Sequence, residues 1–172
     1  GIGVDIILRL LKLKFWENID TPIICIADGK LFESRSKILG IKLQFKELHG
    51  LKDAQKNKIG VVQYIKIEDC QDVYPGKLNP KNAKYVIKNL DFGIKQAAEN
   101  KKIALVTGPI QKSNIVDGGF KNFQGHTEWI QKRTKSNNVV MLLASKKIKV
   151  ALATTHIPLA DVAINIKKAR LI

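Results

Sequence analysis

Three short blocks carry the side chains best suited to chemistry: Ala-Leu-Val-Thr-Gly-Pro-Ile-Gln-Lys at residues 104–112, Gly125-His126-Thr127-Glu128, and Thr154-Thr155-His156-Ile157-Pro158-Leu159. In the first, Thr107-Gly108-Pro109 breaks an apolar stretch, and open α/β sheets gather ligands at the carboxyl ends of their strands. Lys112 follows that break. Its ammonium suits a phosphate or carboxylate, and it reads equally well as a solvated surface lysine. In the second block, His126 has a polar, glycine-flanked setting that favours an exposed ring. The Thr127 hydroxyl and the free N–H groups of a helix's first turn can hold an anion. Glu128 is the charge expected at a helix start, where capping is its ordinary role. In the third block, His156 stands at a strand end, where a neutral imidazole can ligate a metal. One histidine does not make such a site, because three or four ligands are normal. His49, in a Leu-His-Gly context, reads as a solvated loop residue.

The elements around these blocks follow from periodicity. Gly1-Ile2-Gly3 feeds an apolar stripe at helical spacing (Ile6, Ile7, Leu10, Leu11). That glycine turn suits an anion at a helix N-terminus, or simply a tight connection; it lacks the third glycine of G-x-G-x-x-G. Pro22 to Ala27 reads as a buried strand ended by Asp28-Gly29, and Lys30 to Leu39 as a helix closed by Gly40. Ile41, Leu43 and Phe45 alternate with polar residues as in a half-exposed strand. Lys52 to Lys58 reads as a loop, Ile59 to Ile67 as a strand, and Asp69 to Pro80 as irregular with a turn at Pro75-Gly76. Asn79 caps a long helix with Pro80 in its first turn, and Asn100 ends it before an expected strand, Ile103 to Thr107. Val139 to Ala144 and Ile148 to Thr154 pair most simply as a hairpin, and Pro158 starts a last helix. Alternating strands and helices predict an α/β layered fold with a mostly parallel sheet.

The 172 residues suffice for one good-sized domain or two small lobes, and the 45% apolar content excludes a disordered chain. Cys25 and Cys70 show no C-x-x-C spacing, so neither a disulfide framework nor a zinc ribbon is expected, and the chain fits a reducing cytosol. No apolar run approaches the roughly 18–20 residues that span a bilayer, so no membrane partner is expected. The net charge of +15 comes almost wholly from lysines scattered singly or in pairs. With no long basic run and no interleaved aromatics, it describes a solvated surface better than a specific nucleic-acid interface. A non-catalytic basic module holding nucleic acid remains the reading from another class.

The three blocks, in this order and separation, resemble the 4-hydroxythreonine-4-phosphate dehydrogenase family of pyridoxal phosphate synthesis. The resemblance covers nearly the whole chain but about half of such an enzyme, so an N-terminal portion is expected. It implies a truncated fold like that of isocitrate and isopropylmalate dehydrogenases, with a first lobe at residues 1–105 and the start of a second at 106–172. It implies substrate contacts at His126 and Thr127, and a metal ligand at His156. The family's other two histidine ligands sit in Asn-Pro-His-Ala-Gly and Tyr-His-Asp-Gln-Gly motifs, neither of which occurs here. No residue is assigned a further catalytic role.

The implied reaction is NAD- or NADP-dependent oxidation of a phosphorylated hydroxy-amino acid, 4-phosphooxy-threonine, to a β-keto acid. That acid decarboxylates to 3-amino-2-oxopropyl phosphate. A divalent metal (Zn, Mg or Co), a homodimer sharing its site between subunits and a cytoplasmic location are implied with it, and the portion alone is expected to be inactive. Related dehydrogenases acting on phosphothreonate or phosphoerythronate carry the same His-Thr and Thr-Thr-His blocks and remain an alternative. A degenerate gene remnant that keeps the fold elements without the chemistry is a third.

Overall fold

The computed structural model describes residues 2–155 and 157–168. By packing, the chain forms two units, Gly1–Thr134 and Lys135–Ile172. The expected lobe boundary at residues 105 and 106 falls inside the first unit, because one apolar cluster joins Ala83, Ile87, Leu90 and Ile94 to Ile115, Phe123 and Trp129.

The first unit is built on a three-stranded parallel sheet in the order β1-β3-β2, with β1 at Cys25–Ile26, β2 at Gln44–Glu47 and β3 at Val61–Ile65. The expected parallel α/β layering is therefore present. Helix α1 (Gly3–Leu10) and helix α2 (Gly29–Ile38) pack together, and Leu8, Leu11, Phe32, Val62 and Tyr64 form the core beside the sheet. Phe32 is fully buried and stacks on Phe45 at 5.9 Å between ring centroids. Burial of such a ring contributes about 1.5–3 kcal/mol.

Asp28, expected as part of a turn, caps α2: its Oδ1 accepts the Lys30 N–H at 3.0 Å. It also ties in the irregular segment after β3, since Oδ2 accepts the Cys70 N–H at 3.0 Å while the Asp28 N–H donates to the Tyr85 hydroxyl at 3.2 Å. Gly40 ends α2 at φ +63°, a conformation glycine adopts without strain.

Helix α3 (Ala83–Glu99) follows a 3-10 turn at Pro80–Asn82, and the Asn79 side chain accepts the Lys81 N–H at 3.1 Å. The strand expected at Ile103 to Thr107 is absent: residues 103–110 form no regular element and pair with no strand among the described residues, and Val106 is 91% exposed. Apolar content gives a strand its local character, but only a hydrogen-bonded neighbour completes one. Helices α4 (Lys112–Asp117) and α5 (His126–Thr134) then return to pack on α3.

The second unit holds an antiparallel hairpin, β4 (Leu142–Ala144) with β5 (Lys149–Ala151), and helix α6 (Leu159–Asn165). Ser145 closes the hairpin: its hydroxyl accepts the Ile148 N–H at 3.1 Å.

Candidate functional site

The start of α5 is the point at which the sequence candidates of the first unit meet. Its helix is fixed at its middle and its far end. Trp129 is buried against Phe123 and Phe120 at 5.5 and 6.4 Å between centroids, and its indole N–H donates to Asp91 Oδ1 of α3 at 2.7 Å. Arg133 grips the same carboxylate through Nε at 2.8 Å and Nη2 at 2.6 Å while lying over the Trp129 ring. With those anchors set, the first turn brings His126 to the backbone of Gly108.

His126 is half-buried and bonded to the backbone at Gly108. Loss of solvation lowers its pKa below the ordinary 6.5, and the Gly108 bond opposes this in part, so the ring is neutral at pH 7. Its Nε2 is shielded from water and lacks any hydrogen-bond partner. A buried nitrogen left unmatched costs about 1–3 kcal/mol and marks a place where a partner atom belongs.

Gly108 is itself approached from the N-terminus. A Cβ on Gly108 would stand 3.7 Å from the Gly3 Cα, so the glycine turn at the start of α1 lies against the strand break. Sequence reading kept these two segments apart, since nothing local links residues so distant in the chain.

Lys112, the exposed first residue of α4, reaches the same place from the other side. A Cβ on Gly125 would stand 3.4 Å from its Cε, 3.5 Å from its Nζ and 3.0 Å from Glu128 Oε2. Gly125 has φ +156°, which a side chain rarely permits. Its bare backbone lets a cation and a carboxylate close in on the helix start beside His126 and Thr127.

The structure thus places Lys112 against Gly125, the residue before His126 and Thr127 at the start of α5. His156 lies outside the described residues, and no group of three or more His, Cys, Asp or Glu able to hold a metal occurs among those described. His49 is exposed in its loop, as expected. Burial pushes the Cys25 thiol up to about 12, and burial with the nearby Asp28 charge pushes Cys70 up to about 11, both away from the thiolate form. Two functional contributors escaped the sequence reading, Gly125 as the opening for Lys112 and Asp91 as the anchor of α5. A glycine directly before His-Thr was the only local signal for the first, and Asp91 had none.

The family model for the pyridoxal phosphate biosynthetic protein PdxA matches residues 18–172. The chain belongs to that family. It is 34% identical over 171 residues to a 4-hydroxythreonine-4-phosphate dehydrogenase of Erwinia tasmaniensis, covering 99% of this chain and 50% of the relative. The protein of that name from Yersinia enterocolitica is 36% identical over 162 residues, covering 94% and 47%. The chain therefore spans about half the length of the curated relatives it matches. Crystal structures of 4-hydroxythreonine-4-phosphate dehydrogenases from Burkholderia phymatum and Klebsiella pneumoniae superpose with TM-scores of 0.87 and 0.84 at 24% and 20% identity. Each covers 99% of this chain, and the chain covers 51% and 52% of them, which establishes the shared fold.

Proposed function

We propose that this chain carries part of the substrate site of a dehydrogenase for 4-phosphooxy-threonine, contributing the contacts made by His126, Thr127 and Lys112. The observation that supports this reading is the reach of Lys112 to Gly125, at the start of the helix that carries His126 and Thr127, with the buried Nε2 of His126 lacking a partner. A neutral imidazole can accept a substrate hydroxyl hydrogen or donate to an oxygen, according to its tautomer. The Thr127 hydroxyl and the first-turn N–H groups of α5 favour an anionic oxygen, and the Lys112 ammonium adds a charge-assisted bond to phosphate or carboxylate.

In this reading NAD or NADP accepts the hydride, and the β-keto acid formed loses carbon dioxide. A divalent cation (Zn, Mg or Co) belongs to the reaction, yet the described residues cannot hold one unaided, and its expected ligand His156 stands outside them. The 172-residue chain is proposed to bind substrate without turning it over, to act in the cytoplasm and to pair as a homodimer when joined to the rest of the site. No helix among the described residues is long and apolar enough to cross a membrane.

Isothermal titration of the chain with 4-phosphooxy-threonine tests the proposal. His126→Ala should raise Kd about tenfold, the size of one lost hydrogen bond of roughly 1.4 kcal/mol. Equal affinity for parent and variant would remove His126 from the site.

A further inference from the structure

The side chain of Glu128 does not do what its position suits it for. An acid at the third helical position ordinarily bends back to the N–H of the residue before the helix. Among the described residues the Glu128 carboxylate has neither a hydrogen bond nor an ion pair, although its Oε2 comes within 3.0 Å of the place a Gly125 Cβ would fill. Lys112 is equally without an ion-pair partner, and its Nζ lies 3.5 Å from that same point. An exposed cation and an exposed anion thus flank one glycine without joining, and the next residue is His126, whose Nε2 is unmatched. Opposite charges left unpaired around one glycine suit a ligand that carries both charges itself. Gly125 keeps the space between them clear.

We infer that Lys112 and Glu128 form a two-charge seat for a zwitterion, in which Glu128 takes the ligand's ammonium group. Glu128 then determines specificity, selecting a phosphorylated hydroxy-amino acid over the counterpart that bears a hydroxyl in place of the amine. This rests on the reading of Lys112, His126 and Thr127 as substrate contacts. The chemistry is direct: a carboxylate gains a charge-assisted bond from an ammonium and only an ordinary one from a hydroxyl. Glutamine at position 128 keeps the shape and removes the charge.

Isothermal titration of the chain with 4-phosphooxy-threonine and with 4-phosphoerythronate reads the selectivity as a ratio of the two Kd values. The parent should favour the amine about tenfold. Glu128→Gln should bring the ratio close to one by weakening only the amine-bearing ligand, whereas Lys112→Met should weaken both ligands together. If Glu128→Gln leaves the ratio unchanged, or weakens both ligands in parallel, the inference is overturned while the substrate-contact reading stands. If neither ligand binds, or Lys112→Met and His126→Ala both bind like the parent, that reading falls and takes this inference with it.

Discussion

Arg35 and Asp5 are joined by two parallel bonds, Nε to Oδ1 at 2.8 Å and Nη2 to Oδ2 at 2.6 Å, with 10% and 24% of their side chains exposed. Asp5 lies in the first turn of α1 and Arg35 near the end of α2, so the pair fixes the helix whose opening glycine faces Gly108. Removing Asp5 alone would strand a buried guanidinium whose Nη1 already lacks a partner. Asp5→Ala should therefore cost roughly 3–5 kcal/mol, read as a lowered urea midpoint. Replacing both with apolar residues, Asp5→Leu with Arg35→Met, should recover most of that loss. The hydrogen bond from Arg35 holds the Asp5 carboxyl below its ordinary 3.8. Its contribution is thus complete above that value and is lost as pH falls through the lower, folded one.

Gly118 follows α4 with an unremarkable φ of −81°, so its need is purely for space. A Cβ there would stand 2.2 Å from the Ala83 Cβ and 2.5 Å from the Pro80 carbonyl oxygen. Neither atom can swing aside. Gly118→Ala should destabilise by about 3 kcal/mol, the upper part of the overpacking range. Gly93→Ala should cost about 1 kcal/mol, since its Cβ would meet the flexible ends of Leu105 and Ile26 at 2.7 and 3.1 Å. Chemical denaturation of both variants checks the order.

Burial makes His126 harder to protonate than a free histidine. Its NMR titration midpoint should fall below 6.5. The unfolded chain binds this proton at a higher pH than the folded one does. His126 therefore contributes to stability that is complete above about pH 6.5 and diminishes as pH falls toward its folded value. In His126→Gln this part of the pH dependence should vanish.

The parts of the fold that could be read from the sequence are those decided locally. Asn79-Pro80 starts α3 and Gly40 ends α2 through caps written within a few residues, and both helices lie where their apolar spacing puts them. Strand reading succeeded for β3, which has neighbours on both sides, and failed for residues 103–107, whose apolar run has none among the described residues. At the site, the residue types of His126, Thr127 and Lys112 were visible, because a glycine before His-Thr and a lysine after Gly-Pro are local patterns. The approach of Lys112 to Gly125 and of Gly3 to Gly108 was not, since it depends on how α4, α5 and α1 pack.

Asp91 gives the last test, because it joins packing to the site. Its carboxylate receives the Trp129 indole N–H and both arms of the Arg133 fork. Asp91→Ala leaves the buried indole nitrogen unmatched, at about 1–3 kcal/mol, while the exposed arm of the network adds little. Such a loss loosens α5 where it meets α3 without touching Lys112, His126 or Thr127. Hydrogen exchange in α5 (residues 126–134) should accelerate beyond the change in α3. Substrate affinity should fall in step with that local opening. A variant with native exchange in α5 but weakened binding would show that Asp91 acts on the ligand by another route.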